Sequence, residues 1–426
     1  MKNQSKLTPG ERSWILYDVA NSAFVLVIIT TVMPIFFKDV ASQGVSSAVS
    51  TANWGFANSA ASLILAILAP ILGTLADYRN FKKRFWGFFI GLGVFFTLSL
   101  TTVSPGSWLI CLVLFVFARV GFAGANIFYD SFITDITTKE RMDWVSALGY
   151  GWGYIGSVIP FLAVIGLLVW GSSGEKGVGM ALGPMRLGFV IVAVWWAVFS
   201  IPMLKNVHQV HFIPKAGHLL GESFRRLVRT FADIRKYRQA FLFLLAYFFY
   251  IDGVDTIITM ATAYGRDIGL GVNMLLAAIL MIQIVAFPMA LLFGKLSQRF
   301  GAKNMIHAGI WVYGLITLLA FVLPFLSSLK AKTLLFWGLA FLVASSQGGI
   351  QALSRSYFGR LIPPERSAEF FGFYNIFGKF AAITGPFLMA IISRFTGDSR
   401  YGILSILLLF ILGGFLLKKV RPEEGF

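Results

Sequence analysis

Five stretches of this chain place ionisable or amide side chains at helical spacing inside otherwise apolar sequence. Arg119, Asn126 and Asp130 recur at i, i+7 and i+11. Gln347, Gln351 and Arg355 recur at i, i+4 and i+8. Asp252 and Asp255 are followed by Thr259 and Thr262, Asn375 by Lys379, and Asp18 by Asn21 and Ser22. At about 100° per residue, each set falls on one helix face. A guanidinium in such a set holds a carboxylate at two points, and a carboxylate holds an ammonium group. A carboxyl buried without a cation can also carry a proton near neutral pH. These residues suit charge recognition and proton carriage better than bond-making. The four His (His208, His211, His218, His307) lie in or beside loops, so no Ser-His-Asp set is expected. Cys111 is the single cysteine, which excludes an intrachain disulfide, and no Cys/His spacing suits a metal. Without a phosphate-binding loop either, neither an enzyme nor a nucleotide-driven pump is expected, and no cofactor.

The elements that must position these side chains are membrane spans. The 426 residues are 57% hydrophobic and 13% charged, with mean hydropathy +0.77. Soluble domains average about 45–50% apolar and about 25% charged residues. Twelve apolar stretches are each long enough to cross a hydrocarbon core of about 30 Å. They cover 14–37, 52–77, 85–104, 107–136, 145–170, 184–204, 239–264, 271–296, 304–328, 332–358, 368–394 and 400–418. Lys and Arg concentrate in the N-terminus, the even-numbered loops and the C-terminal tail. The positive-inside rule then puts both termini in the cytoplasm. The net charge of +17 is a topology signal, and no nucleic-acid partner is expected. The expectation is an all-α, multi-pass protein of the cell membrane, a monomer whose other partner is the lipid bilayer.

The longest loop divides the spans into two sets of six, giving bundles over 1–204 and 239–426 and a linker over 205–238. In the linker Leu219, Phe224, Leu227, Val228 and Phe231 recur at helical spacing. Arg225, Arg226, Arg229, Arg235, Lys236 and Arg238 supply the polar part. That pattern predicts a basic amphipathic helix on the cytoplasmic leaflet.

The two halves repeat one another. Gly73-Thr-Leu-Ala-Asp77 followed by Lys82, Lys83 and Arg84 corresponds to Gly294-Lys-Leu-Ser-Gln298 followed by Lys303. Tyr129-Asp130 stands before Glu140-Arg141 as Ser354-Arg355 stands before Glu365-Arg366. Tyr17-Asp18 aligns with Ile251-Asp252. Three correspondences in one order imply a duplicated six-helix unit.

The Gly73 to Arg84 loop resembles the signature loop of the major facilitator superfamily. Trp14-Ile-Leu-Tyr17-Asp18-Val-Ala-Asn21-Ser22, Tyr250-Ile-Asp252-Gly-Val-Asp255 and Gln351-Ala-Leu-Ser354-Arg355-Ser356 are more specific. Together they resemble the autophagy-related vacuolar effluxer family, whose fungal members are implicated in amino-acid export from the vacuole. The resemblance implies twelve transmembrane helices in two pseudo-symmetric bundles. It also implies a secondary transporter that works by alternating access, with spans one, four, seven and ten around a central cavity. Gln298 departs from the pattern, standing where the first half has Asp77.

The expected solute is small and polar or zwitterionic, an amino acid or short peptide, moved outward. The solute and proton pathway is expected to comprise Asp18, Asn21, Arg119, Asn126, Asp130, Asp252, Asp255, Gln347, Gln351, Arg355, Asn375 and Lys379. Asp77, Lys82, Lys83 and Arg84 are expected to gate it. Asp130 corresponds to Arg355, which leaves three roles open: a gating pair, a solute site, or a static structural pair. Asp18, Asp252 and Asp255 are the candidates for a coupling proton. A lipid or amphiphile exporter and a non-transporting sensor are the competing functions.

Overall fold

Thr8 starts the first helix. Its hydroxyl accepts the Glu11 N–H at 3.1 Å, the Glu11 carboxylate accepts the Thr8 N–H at 2.8 Å, and Pro9 takes the first turn. This reciprocal cap satisfies donors that a helix N-terminus otherwise leaves open. The computed structural model describes residues 6–171, 182–214, 219–232, 236–267, 272–397 and 399–421. Arg235 and His218 lie outside them.

The described residues contain 12 helices long and apolar enough to cross a membrane. We number them α1 (Pro9–Ala41), α2 (Val49–Ala76), α3 (Phe81–Thr102), α4 (Trp108–Ile136), α5 (Met142–Trp170) and α6 (Leu182–Asn206). The second set is α7 (Arg238–Thr259), α8 (Met274–Phe300), α9 (Ala302–Phe325), α10 (Leu329–Leu361), α11 (Pro364–Thr396) and α12 (Arg400–Lys419). A linker helix covers Leu219–Ala232, in the stretch that the linker pattern predicts. Every predicted span has its helix, with ends shifted by a few residues. The largest shift of a helix start is in α1, which begins five residues earlier because the Thr8 cap, not the first apolar residue, sets its start. α1 is also irregular: Phe24–Val32 and Phe37–Ala41 form wide π turns. The Thr30 and Thr31 hydroxyls donate to the carbonyls of Val25 and Leu26, five residues back, which suits the wider winding.

The chain divides into two compact units. Unit 1 holds 1–136, 152–224 and 365–372; unit 2 holds 137–151, 225–364 and 373–426. The first turns of α5 therefore belong to unit 2 and those of α11 to unit 1. In unit 1, α1 packs on α6, and α4 packs on α2 and α3. In unit 2, α7 packs on α12, and α10 packs on α8 and α9. The pairings are those expected of a duplicated fold. Unit 1 is centred on Trp14, Tyr17, Trp86, Tyr129 and Trp196, all buried. Unit 2 stacks Tyr247 on Tyr374 at 4.2 Å and Tyr374 on Phe358 at 5.2 Å. Outward positions are apolar, including Phe56, Leu63 and Ile67 on α2 and Trp311, Leu315 and Leu318 on α9. Such side chains belong against lipid, where backbone polar groups must be satisfied within the helices.

Candidate functional site

The first constellation is built on the turn after α2. Asp77 caps the C-terminus of α2, and Asn80 follows in a left-handed conformation, φ 66°, which Asn tolerates better than most residues. The Asp77 side chain is fully buried. Its Oδ1 accepts the Ala368 N–H at 2.9 Å and its Oδ2 the Glu369 N–H at 3.3 Å. These amides lie in the first turn of α11, where a helix has no internal acceptors. Arg366 just before them is not a capping residue; it pairs with Glu369 at 2.7 Å. Asp77 thus caps α11 from another helix, and the positive end of the helix dipole favours its charge. Gly73 makes this possible. A Cβ there would lie 2.5 Å from the Ala368 carbonyl oxygen and 3.0 Å from Glu369 Cα.

Lys82, fully buried on α3, donates to Asp135 at 2.7 Å and to the Ser367 hydroxyl at 2.8 Å. Asp135 is equally buried, and its Oδ1 accepts the backbone N–H groups of Val210 at 2.9 Å and His211 at 2.8 Å. The linker segment is tied down again one step on. Ile213 N–H donates to the Asp77 carbonyl at 2.8 Å, beside a parallel bridge between Tyr78 and Ile213. Gln209 reaches the Ala76 carbonyl at 3.1 Å. One carboxylate, Asp135, therefore holds the linker, and through Lys82 and Ser367 it also holds the start of α11. The Asp135 carboxylate, 3.4 Å from His211 Nδ1, raises the His211 pKa above its ordinary value, with burial opposing. Lys83 is half-buried and Arg84 exposed, its guanidinium 6.0 Å from the Phe81 ring centre. Neither belongs to this hydrogen-bonded set as described.

Unit 2 repeats the geometry with different charges. Gly294 stands where unit 1 has Gly73; a Cβ there would lie 2.5 Å from Ala147 Cβ on α5. Gln298, in the place of Asp77, is exposed. The carboxylate is instead on the packed helix itself: Asp143, in the first turn of α5, accepts from the Ser356 hydroxyl at 2.5 Å and pairs with Arg360 at 2.7 Å. Arg360 and Asp135 stand five residues after Arg355 and Asp130 respectively, with opposite charge.

The polar helix faces lie deeper. In unit 1, Asp18, Asn21 and Asp130 are buried and Arg119 and Asn126 half-buried. The Asn21 amide donates to the Asn126 carbonyl oxygen at 3.0 Å, joining α1 to α4. The indole of Trp14 donates to the Tyr129 carbonyl at 2.9 Å beside Asp130. In unit 2, Arg355 is buried. Its Nε donates to the Ser146 hydroxyl at 3.0 Å, its Nη2 to the Ser146 carbonyl at 3.2 Å, and its guanidinium lies 4.4 Å over the Tyr150 ring. Tyr250 and Ser354 share a hydrogen bond of 2.7 Å. Asp252 is fully buried, while Asp255, Gln347, Gln351, Asn375 and Lys379 are half-buried. Lys379 acts electrostatically on Asp255. Among the described residues, no group of His, Cys, Asp and Glu could hold a metal ion.

Sequence reasoning missed Asp135, Asp143, Ser146, His211 and Arg360. The repeat carried a signal for two of them, since Asp135 and Arg360 align with inverted charge. Nothing in spacing marks Ser146 or His211, whose roles depend on packing between distant segments.

The chain matches the family model for vacuole effluxer Atg22-like proteins over residues 10–425. It is 48% identical over 420 residues to an uncharacterized MFS-type transporter of Bacillus subtilis, YxiO, covering 98% of this chain and 96% of that one. It is 28% identical over 320 residues to autophagy-related protein 22-1 of Aspergillus fumigatus, covering 68% of this chain and 51% of that one. The chain thus spans about half the length of that fungal relative. Among solved structures, the proton:xylose symporter XylE bound to 6-bromo-6-deoxy-D-glucose superposes with TM-score 0.72 at 13% identity, covering 97% of this chain and 95% of that one. A bacterial homologue of the iron transporter ferroportin, outward-facing, gives 0.69 at 16% identity, covering 96% and 98%. Those identities speak for the fold alone. The family model over nearly the whole chain and the 48% identical relative, with the duplicated helix pairings of the major facilitator fold, make this chain a multi-pass membrane transporter and a member of the vacuole effluxer Atg22-like family.

Proposed function

We propose that this transporter exports a small polar or zwitterionic solute, an amino acid or short peptide, by alternating access coupled to protons. Both termini lie in the cytoplasm, the membrane is the cell membrane, and the working form is a monomer. The repeats over 1–204 and 239–426 are the moving bodies and 205–238 their tether. The observation that carries the reading is the pair of opposite charges at matching repeat positions. Asp130 is buried beside Asn126 in unit 1, and Arg355 is fixed by Ser146 and Tyr150 in unit 2. A guanidinium pre-positioned in this way meets a carboxylate at two points, and a carboxylate meets an ammonium group. The effluxer name of the family supports the direction, and the proton:xylose symporter of like fold supports the coupling.

The test is counterflow of radiolabelled amino acids and dipeptides in proteoliposomes, with internal pH followed by a dye. Counterflow that Arg355→Gln abolishes is the expected result. Absence of counterflow for the whole panel would end the amino-acid reading. A second reading has one observation behind it. An apolar groove of about 400 Å³ on unit 1, lined by Phe56, Ile64, Trp108, Leu112 and Phe117 among others, suits an acyl chain. Exchange of a fluorescent phospholipid between leaflets, in the same vesicles, would favour it.

A further inference from the structure

We infer that Asp252 is the residue that carries the coupling proton, and that its proton is coupled to the proline turn of α11 at Gly385–Pro386. The inference rests on the transport reading above but is carried by separate geometry, all within unit 2. Asp252 is 0% exposed on α7. Its Oδ1 accepts the backbone N–H of Gly385 at 2.7 Å, and the Thr256 hydroxyl lies 3.5 Å from the same atom. Its Oδ2 is also buried and, among the described residues, has no hydrogen-bond partner.

A side chain seldom takes a backbone amide in mid-helix, because that amide normally serves the carbonyl four residues earlier. Pro386 follows Gly385: it offers no N–H to the Ala382 carbonyl and its ring crowds that carbonyl, which weakens the hydrogen-bond ladder of α11 at this point, although the helix runs on over Ser367–Thr396. Gly385 lets Asp252 come close: a Cβ there would overlap the Thr256 hydroxyl and lie 2.7 Å from Oδ1. Asp252 thus accepts an amide at the proline turn with one oxygen, and its other oxygen is bare among the described residues.

A bare, buried carboxylate oxygen is far costlier than a neutral acid in the same place. The proton therefore sits on Oδ2. The surrounding charges do not substitute for it. α7 itself offers Asp255, of like sign, and Tyr250, which is bonded to Ser354. α11 offers Lys379, whose charge acts on Asp255. α9 offers Tyr313, and α10 offers Arg355, held by Ser146 and Tyr150. α12 presents Phe410 and Gly413 to this part of α7, and α8 has no ionisable side chain over 274–294. A sodium ion fits poorly, since Oδ1 already faces an N–H dipole and Oδ2 is the one carboxylate oxygen left to coordinate it.

When Oδ2 loses its proton, the full charge falls on a carboxylate whose bond to Gly385 N–H becomes charge-assisted and shorter. Deprotonation then draws the proline turn of α11 toward α7, and protonation relaxes it. A carboxyl placed in this way converts proton binding into movement of one helix.

The decisive experiment needs no solute. Purified full-length protein in nanodiscs is titrated with pH under infrared spectroscopy. Wild type is expected to show a protonated-carboxyl C=O band at neutral pH that fades on alkalinisation. Asp252→Asn should remove that band, and Asp255→Asn should keep it. Hydrogen–deuterium exchange of wild type supplies the second readout. After correction for intrinsic rates, protection of the peptide containing Gly385 should rise as the band fades. A band unchanged in Asp252→Asn overturns the site. Protection that stays flat across the titration overturns the coupling to α11, even where Asp252→Asn does not fold. Both outcomes leave the transport reading standing, and failed counterflow with the band and the protection change intact would sink transport alone.

Discussion

Asp77→Ala should undock the first turn of α11 by an amount that the geometry sets. The substitution removes both acceptors from two amides that have no other partner within their helix. Hydrogen bonds to a charged group contribute about 1.5–3 kcal/mol each, and the 3.3 Å bond to Glu369 falls at the weak end. The helix-dipole term adds about 0.3–1 kcal/mol. Packing around Gly73 is unchanged, so a loss of about 3–5 kcal/mol from the docked state is expected, or roughly 140- to 4,000-fold in its population. Hydrogen–deuterium exchange of the peptide covering 367–372, in nanodiscs, reads this directly. The Ala368 and Glu369 amides should exchange faster by that factor in Asp77→Ala. Asp77→Asn, which keeps one carbonyl oxygen but brings an NH2 against the other amide, should fall between. Equal exchange in wild type and Asp77→Ala would show that the Gly73 contact alone holds α11, and the capping argument would fail.

Three further outcomes follow from contacts inside single units. Gly73→Ala drives a methyl against the Ala368 carbonyl and should cost about 1–3 kcal/mol, seen as a lower melting temperature and as the same loss of protection at 367–372. Arg355→Lys loses the two-point hold on Ser146 and the stack on Tyr150; breaking a buried charge network costs up to about 3–5 kcal/mol, so a clear fall in melting temperature is expected, and an unchanged one would refute the arrangement. His211 has a folded-state pKa above the ordinary value of about 6.5, so its stabilisation is fully present below that pH and is lost as pH rises through the folded value. The melting-temperature advantage of wild type over His211→Gln should therefore be largest in mild acid and vanish in alkali, and a pH-independent difference would refute the Asp135 contact as its source.

The fold was legible because its signals are summed over many residues. Twelve apolar stretches and a duplication marked at three places survive any error at single positions, and α5 and α11 were found although their first turns join the opposite units. The deep polar set was legible for a related reason. In lipid a charge has few excuses, so Asp18, Asp130, Asp252 and Arg355 stood out by type alone, and all four are buried. What could not be read was partnership. The turn motif pointed to Asp77 and Lys82, but the acceptor of Lys82 is Asp135, an unremarked acid at the end of α4, and the donors to Asp77 are backbone amides, which have no letter in a sequence. Lys83 and Arg84 look identical to Lys82 in composition. They differ only in helix phase, which turns Lys82 inward and Arg84 outward.

The difference between the units then has a physical consequence. In unit 1 the carboxylate that caps the packed helix sits on the α2–α3 turn, so the cap fails whenever the turn and α11 separate. In unit 2 the carboxylate sits on α5 itself and is held by Ser356 and Arg360 of α10, with Gln298 exposed and taking no visible part. Separation there breaks an ion pair and a hydroxyl bond but leaves no helix N-terminus that depended on the Gly294 turn for its acceptors. A duplicated fold with matched caps would penalise both separations alike. Among the described residues, the cap supplied from a separate turn is seen in unit 1, and unit 1 also fastens the linker through Asp135. Undocking of α11 and release of the 209–213 segment therefore draw on one buried set of charges, and a substitution at Lys82 should disturb both, whereas one at Arg360 should disturb neither.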